Sequence, residues 1–248
     1  MICNVHHRPM RQIGESLICP ACLGDASAPA VAGLEERAER QEQRDTAKRL
    51  EQAGVPAKFA ESTFENWNPT TERSTRMAKV MGKYVQEFAT SRRKRDGFIF
   101  TGAPGTGKTH IACAMVSGLA RGGFISRYLS VPTFTRAVKA SYGRPGQTDL
   151  LLRSVIDSDF LVMDEIDLHG SSDVDYTILY DIINSRYERS GAPVLVISNR
   201  PVDRLIVDLD GRIVSRILGA QPPIIFDWPS QREVRLSQRR FSLEGRPT

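Results

Sequence analysis

The sequence has no run of eighteen or more apolar residues, and its first residues lack the apolar segment that directs secretion. A membrane-spanning helix and a secretory leader are therefore not expected, and the chain reads as cytosolic. It also has no internal repeat and no low-complexity tract, so a stacked-repeat architecture is not expected. Cysteine is sparse, with four in 248 residues, and three of them fall within the first 22. Charge of one sign is not dominant: the net charge is +5 and the pI about 9.2, which favours polyanionic partners only weakly. What is present is 40% hydrophobic residues, enough for one substantial core in one domain with an appendage, or in two small domains.

The most informative stretch is Gly102-Ala103-Pro104-Gly105-Thr106-Gly107-Lys108-Thr109, which fits the phosphate-binding pattern G-x-x-x-x-G-K-[ST] at every fixed position. An apolar run, Phe98 to Phe100, precedes it, and a helical pattern, Ile111 to Val116, follows. In that strand–loop–helix setting, glycines let backbone N–H groups wrap phosphates at a helix N-terminus. Lys108 is expected to reach the β- and γ-phosphates of ATP, and Thr109 to hold Mg²⁺.

The second half of such a site is Phe160-Leu161-Val162-Met163-Asp164-Glu165. Four apolar residues read as a strand buried on both faces, as a parallel sheet requires. It delivers two carboxylates to its C-terminal end, where ligands bind in open α/β sheets. Asp164 is expected to bind Mg²⁺ through water and Glu165 to polarise the attacking water. Asp167 lies close by, but nothing in the pattern requires it.

Three segments are expected along the chain: residues 1–23, a Cys/His segment; 24–57, a linker and charged helix; and 58–248, the nucleotide-binding domain. Within the second, residues 24–33 read as a Pro/Gly-punctuated linker, and 34–53, dense in Glu, Arg and Gln, as a solvated helix, with a helical spacer that docks on a partner as the alternative. Met77, Val80, Met81, Tyr84, Val85 and Phe88 read as one buried helical face. The basic run Arg92 to Arg95 reads as a solvated loop, with nucleic-acid contact as the alternative. Strands are expected at about 125–130, 160–164, 194–198 and 223–226, with helices at about 109–121, 132–142, 148–157 and 174–189. That alternation means α/β: a parallel sheet flanked by helices.

Cys3-x-x-His6 and Cys19-x-x-Cys22 form two ligand pairs with zinc spacing, roughly fifteen residues apart. His7 is an alternative to His6, which the spacing favours. Redox or free thiols are the competing readings. A segment this short cannot build a core, so Zn²⁺ would supply its folding energy in a closed, structural site.

A sensor is expected at the end of the strand after the carboxylate strand. Val194 to Ile197 leads into Ser198-Asn199, and Asn199 is placed to hold the attacking water. Arg212 and Arg216 stand four apart on one helix face, and Arg216 is the candidate arginine finger reaching a neighbouring subunit's γ-phosphate, with a bracing arginine as the alternative. Arg232, after the last strand, is a candidate second sensor in cis. Cys113 reads as a small buried residue in the helix after the loop.

These motifs together resemble a family. Thr63-Phe64-Glu65-Asn66-Trp67, the loop at 102–110 ending in His110, V-M-D-E-I at 162–166, I-S-N-R at 197–200, G-R-I-V-S-R at 211–216 and I-F-D-W at 225–228 look like bacterial replicative helicase loaders of the DnaC/DnaI type, AAA+ ATPases related to IstB. The resemblance spans roughly residues 58–235. It implies an ATPase that binds the hexameric replicative helicase through its N-terminal region, assembles on it in several copies and helps place it on single-stranded DNA. It extends the nucleotide contacts to His110. DnaI-type members carry an N-terminal zinc-binding domain, which suits Cys3 to Cys22; the DnaC type lacks one. The resemblance also implies DNA contacts from helical elements after the second strand, where Lys139 and Tyr142 fall at the matching positions; a cation with an aromatic suits backbone tracking and base stacking. The basic stretch after Trp228, with Arg235, Arg239, Arg240 and Arg246, is too short for a helical lid. The rival expectations are a transposition helper ATPase on duplex DNA and an adaptor that uses ATP only as an assembly switch.

Overall fold

The computed structural model describes residues 1–13, 15–23, 28–90, 97–167, 172–189, 191–209, 211–219 and 221–231. The chain forms two compact units, Met1–Lys48 and Arg49–Thr248.

In the first unit, strands β1 (Arg11–Ile13) and β2 (Ser16–Ile18) pair as an antiparallel hairpin, followed by the short helix α1 (Pro20–Leu23). The long helix α2 (Ala28–Gln52) begins in this unit. Residues 28–33 are therefore helical rather than linker. Alanine is the strongest helix former, and a proline in the first turn forfeits only an N–H that has no partner within the helix.

The second unit takes up the last turn of α2. Arg49 Nε donates to Ala120 O at 2.9 Å and Tyr128 N to Ala53 O at 2.7 Å, so residues 49–57 pack with the nucleotide-binding domain. Helix α3 (Glu72–Glu87) starts from a capping box in which Thr71 Oγ1 and Ser74 Oγ satisfy each other's backbone N–H groups. Met77, Met81 and the C-cap residue Phe88 are buried as expected, but Val80 is 54% exposed. Val80 falls at the margin of the apolar stripe, and Ala78 occupies the buried position beside Met77.

The sheet is parallel, in the order β4-β5-β6-β3-β7, built from β3 (Phe98–Gly102), β4 (Ser126–Ser130), β5 (Phe160–Asp164), β6 (Val194–Ile197) and β7 (Ile224–Phe226). Strand residues alternate between two cores. Ile99, Leu161, Met163, Val194 and Val196 face α5 (Val131–Ala140), α6 (Gln147–Ile156), α7 (Asp173–Arg189), α8 (Val202–Leu209) and α9 (Gly211–Leu218). Phe100, Phe160, Val162, Leu195, Ile197 and Phe226 face α3 and α4 (Lys108–Arg121). Every residue of β5 is buried, which explains its unbroken apolar run. Among the described residues no helix is long and apolar enough to cross a membrane.

On the α5–α9 side, Arg186 of α7 is fully buried. Its guanidinium donates to the carbonyls of Val155, Ile156, Ser158 and Pro193 and to Ser158 Oγ, at 2.6 to 3.1 Å. It satisfies carbonyls that the end of α6 leaves without helical partners. Burial lowers its pKa to about 10.

Candidate functional site

The chain leaves β3 at Gly102 and re-enters helix at Lys108, so the loop between them lies at the C-terminal edge of the sheet. The sheet order turns back here: after β3 the chain crosses to β4, β5 and β6 and then returns to β7 on the other side of β3. Ligands bind at such a switch point. Gly107 sits at φ 93°, in the left-handed region, and a Cβ there would overlap the Trp67 ring. Gly102, at φ 139°, has Phe226 O where a Cβ would lie. These two positions need glycine for conformation and for space.

A cleft of about 670 Å³ opens over the loop. Lys108, Thr109, Asp164, Glu165 and Asn199 all line it, so the loop and the C-terminal ends of β5 and β6 meet at one cleft. Lys108 Nζ donates to Gly102 O at 2.7 Å and Ala103 O at 2.9 Å. Burial lowers its pKa to about 8, against the fields of Asp164 and Asp167, which raise it. Thr109 Oγ1 donates to Asp164 Oδ2 at 2.8 Å. A hydroxyl and a buried carboxylate in direct contact, beside an ammonium turned onto loop carbonyls, fit a nucleotide phosphate with Mg²⁺. Burial raises the Asp164 pKa, opposed by hydrogen bonds from Tyr128, Thr109 and the Glu165 N–H.

Strand β4 supplies two residues that sequence reasoning missed. Tyr128 OH donates to Asp164 Oδ2 at 2.8 Å, and Ser130 Oγ donates to Glu165 Oε2 at 2.7 Å. The register pairs Tyr128 with Val162 and Ser130 with Asp164, so residues two apart on β4 serve the two adjacent carboxylates. Polar residues at alternate positions near a strand's end were the available signal. Burial, together with the charge of Asp164, pushes the Tyr128 phenol far above its ordinary value. It therefore stays a donor.

Both tryptophans of the chain clasp the loop. Trp228 Nε1 donates to Thr106 O at 2.9 Å, and nearby Gln231 N donates to Gly105 O at 3.0 Å. Trp67 lies on Gly107, with its ring centroid 5.4 Å from that of His110. His110 Nε2 meets Thr63 O at 3.0 Å, so Nε2 carries the proton, and Nδ1 faces Ser62 Oγ at 3.5 Å. His110 lines the cleft, but both its ring nitrogens serve the segment before α3.

Arg216 is not among the residues lining this cleft. Its neighbour Ile217 accepts a hydrogen bond from Gly97 N at 3.1 Å, just before β3 begins. The loop leaves the other end of β3, about 16 Å away at the usual strand rise. The Arg216 guanidinium lies 5.6 Å from the Tyr180 ring and 5.8 Å from the Tyr187 ring. Lys139 forms an ion pair with Asp175 at 2.9 Å, while Tyr142 is 53% exposed. Burial raises the pKa of Asp175, but hydrogen bonds from Lys139 and Ser172 outweigh it and hold the carboxyl at about 2. Arg232, the run Arg92 to Arg95, and Arg235, Arg239, Arg240 and Arg246 lie outside the described residues.

In the first unit, Cys3, His6, Cys19 and Cys22 bring their ligand atoms within 4.8 Å of one another. His6 Nδ1 is 3.1 Å from Cys22 Sγ, 3.9 Å from Cys19 Sγ and 4.0 Å from Cys3 Sγ. In a tetrahedral zinc site with Zn–S bonds of about 2.3 Å, ligand atoms stand about 3.8 Å apart, so the four fit. The geometry selects His6 over His7, which turns into the left-handed region at φ 48°. Backbone hydrogen bonds from His6 and Val5 lower the Cys3 thiol to about 6. The hydrogen bond to Cys3, with burial, pushes Cys22 up to about 11.

Comparison with known proteins bears on the family and the fold. The family model for IstB-like ATP-binding proteins matches residues 32–211. The replicative helicase loader DnaC of Escherichia coli K12 is 28% identical over 233 residues, 92% of this chain and 90% of that protein. The loader DnaC of Buchnera aphidicola (strain Bp) is 27% identical over 74% of each chain. Among solved structures, a DnaC helicase loader superposes with a TM-score of 0.61 at 20% identity, covering 68% of this chain and 99% of that one. DnaI superposes with a TM-score of 0.60 at 20% identity, covering 74% and 99%. DnaA of Aquifex aeolicus superposes with a TM-score of 0.56 at 18% identity, covering 76% and 57%. The fold is that of the AAA+ P-loop proteins.

Proposed function

The chain belongs to the IstB-like ATP-binding protein family, and from that footing we propose that it is a cytoplasmic ATPase that loads the hexameric replicative DNA helicase onto single-stranded DNA. The observation that carries this reading is the near full-length likeness to the loader DnaC, 92% of one chain against 90% of the other.

Bound Mg²⁺-ATP supplies the phosphoanhydride bond and the charge that the site must neutralise. Lys108 contributes an ammonium to the phosphates, and the backbone N–H groups of 102–109 contribute the rest of the cradle. Thr109 and Asp164 hold the metal. Glu165 takes the proton of the attacking water, and Asn199 orients that water. Arg216 acts on the nucleotide of a neighbouring copy, and its distance from its own loop supports action in trans. Arg232 is the proposed cis sensor. Cys3, His6, Cys19 and Cys22 hold Zn²⁺ and shape an N-terminal unit that docks on the helicase. Tyr142 stacks on DNA bases, and Lys139 exchanges Asp175 for a backbone phosphate. Several copies assemble on one helicase ring.

The test is the native mass of the full-length protein mixed with a hexameric replicative helicase, ATP and Mg²⁺. A complex of the hexamer with several copies is expected. No complex with a panel of such helicases, together with filaments on duplex DNA, overturns the reading in favour of a transposition helper. Mixing Glu165→Gln with Arg216→Ala tests the shared site: each alone is inactive, and the mixture regains activity at interfaces that pair an intact Glu165 with an intact Arg216.

A further inference from the structure

Asp167 is the third carboxylate of the D-E-I-D stretch, and the nucleotide-binding pattern has no place for it. Backbone geometry decides where it goes. Glu165 adopts φ 61°, which turns the chain as β5 ends. Ile166 is buried, and its N–H donates to Ile197 O at 3.2 Å on the adjoining strand. Asp167 is thereby laid across the C-terminal end of β6. Its Oδ1 accepts a hydrogen bond from Ser198 Oγ, and its Oδ2 faces Asn199 N at 3.4 Å. Ser198 Oγ in turn accepts from Arg200 N at 2.9 Å.

One carboxylate and one hydroxyl thus fix three successive residues where the strand ladder runs out. Ser198 is buried and Asn199 is exposed at the cleft, so the turn carries the chain from core to site within one residue. A side chain aimed at reacting atoms must be held to about half an ångström, and a turn at a strand end does not hold that tolerance unaided. Charge-assisted hydrogen bonds are the stronger kind and suit this task. Asn199 lines the cleft and Asp167 is not among its lining residues, so beyond its field on Lys108 the contacts Asp167 makes toward the cleft run through its neighbour.

We infer that Asp167 is a positioning residue for nucleotide hydrolysis: its carboxylate locks the Ser198–Asn199–Arg200 turn so that Asn199 meets the cleft beside Glu165 and Lys108. This rests on reading the cleft as an ATPase site.

The test is a double-mutant cycle on the full-length protein with helicase and single-stranded DNA present. Steady-state ATP hydrolysis is measured for Asp167→Ala, Asn199→Ala and the double variant. Binding of ADP and of a non-hydrolysable ATP analogue is measured in parallel. Each single variant is expected to lower kcat on the order of tenfold to a hundredfold with KM little changed. The double variant is expected to be no slower than Asn199→Ala, because the two act as one unit. Asp167→Asn, whose amide oxygen still accepts from Ser198, is expected to recover part of the loss. Wild-type kcat in Asp167→Ala, or losses that multiply in the double variant, overturns the inference. Should Asp167→Ala not fold, by its thermal transition, Ser198→Ala takes its place in the same cycle. If the wild type itself does not turn over, the ATPase reading fails. The binding arm still decides: an equal loss of preference for the ATP analogue over ADP in Asp167→Ala and Asn199→Ala supports the positioning role, and an unchanged preference in Asp167→Ala overturns it.

Discussion

Ser130 Oγ donates a 2.7 Å hydrogen bond to Glu165 Oε2, and Glu165 is held with a left-handed backbone at φ 61°. The carboxylate proposed to take the water's proton is therefore tethered to the neighbouring strand. A tethered base is withdrawn from its task until the tether is released. Ser130→Ala is expected to raise the ATPase rate of the protein alone severalfold and to narrow the difference between that rate and the helicase-stimulated one. Steady-state phosphate release with and without helicase measures both. A fall in the rate under both conditions would show instead that Ser130 orients Glu165 productively.

Lys108 gives a pH dependence with a definite sign. Its folded-state pKa is lowered to about 8, so the side chain is an ammonium below pH 8 and neutral above. Nucleotide phosphates favour the ammonium, so binding takes up a proton and the affinity falls as pH rises through 8. The dissociation constant for ADP is expected to rise roughly fivefold between pH 8 and pH 9. Lys108→Arg, charged throughout, should bind with little pH dependence over the same range. Calorimetric titrations in buffers of different ionisation enthalpy would show the proton uptake directly.

Trp228 joins the last strand to the loop through one bond, Nε1 to Thr106 O. Trp228→Phe keeps a ring and removes the donor, and should cost about 0.5–1.5 kcal/mol of stability. Trp228→Ala adds a cavity in the core and should cost roughly 3–5 kcal/mol. Urea unfolding measures both. ADP affinity should fall in the same order, because Thr106 sits in the middle of the cradle.

Zinc is expected at one ion per chain in protein purified without chelator, read by atomic emission. Cys22→Ala should lose the metal and the folded signature of residues 1–23 while leaving ADP affinity unchanged, because the cleft residues all belong to the unit Arg49–Thr248. Metal-free protein with four reduced thiols would remove the zinc assignment.

The sequence made the sheet and the loop legible for physical reasons. Strands buried on both faces must be continuously apolar, and phosphate cradles need glycine at fixed spacing, so β5 and residues 102–109 announce themselves locally. What stayed hidden depends on contacts distant in sequence. Trp228 and Thr106 are 122 residues apart, and Tyr128 and Asp164 are 36 apart. The two tryptophan motifs marked family likeness without revealing that both close on the loop. Arg186 resembles any helical arginine until α6 ends against it. Val80 and residues 28–33 show the weakness of pattern alone: a stripe has margins, and Pro and Gly do not stop a helix that alanines sustain.

The bond from Gly97 N to Ile217 O places Arg216 at the opposite edge of the sheet from its own nucleotide loop. If Arg216 acts in trans as proposed, a chain that carries the cleft at one edge and the finger at the other would join its copies front to back, through two different surfaces. Such a row has unequal ends. Unless it closes into a ring, one terminal copy holds nucleotide with no finger and the other presents a finger to no nucleotide. In an open assembly the number of competent sites is one fewer than the number of subunits, and the direction of the row is written into every copy.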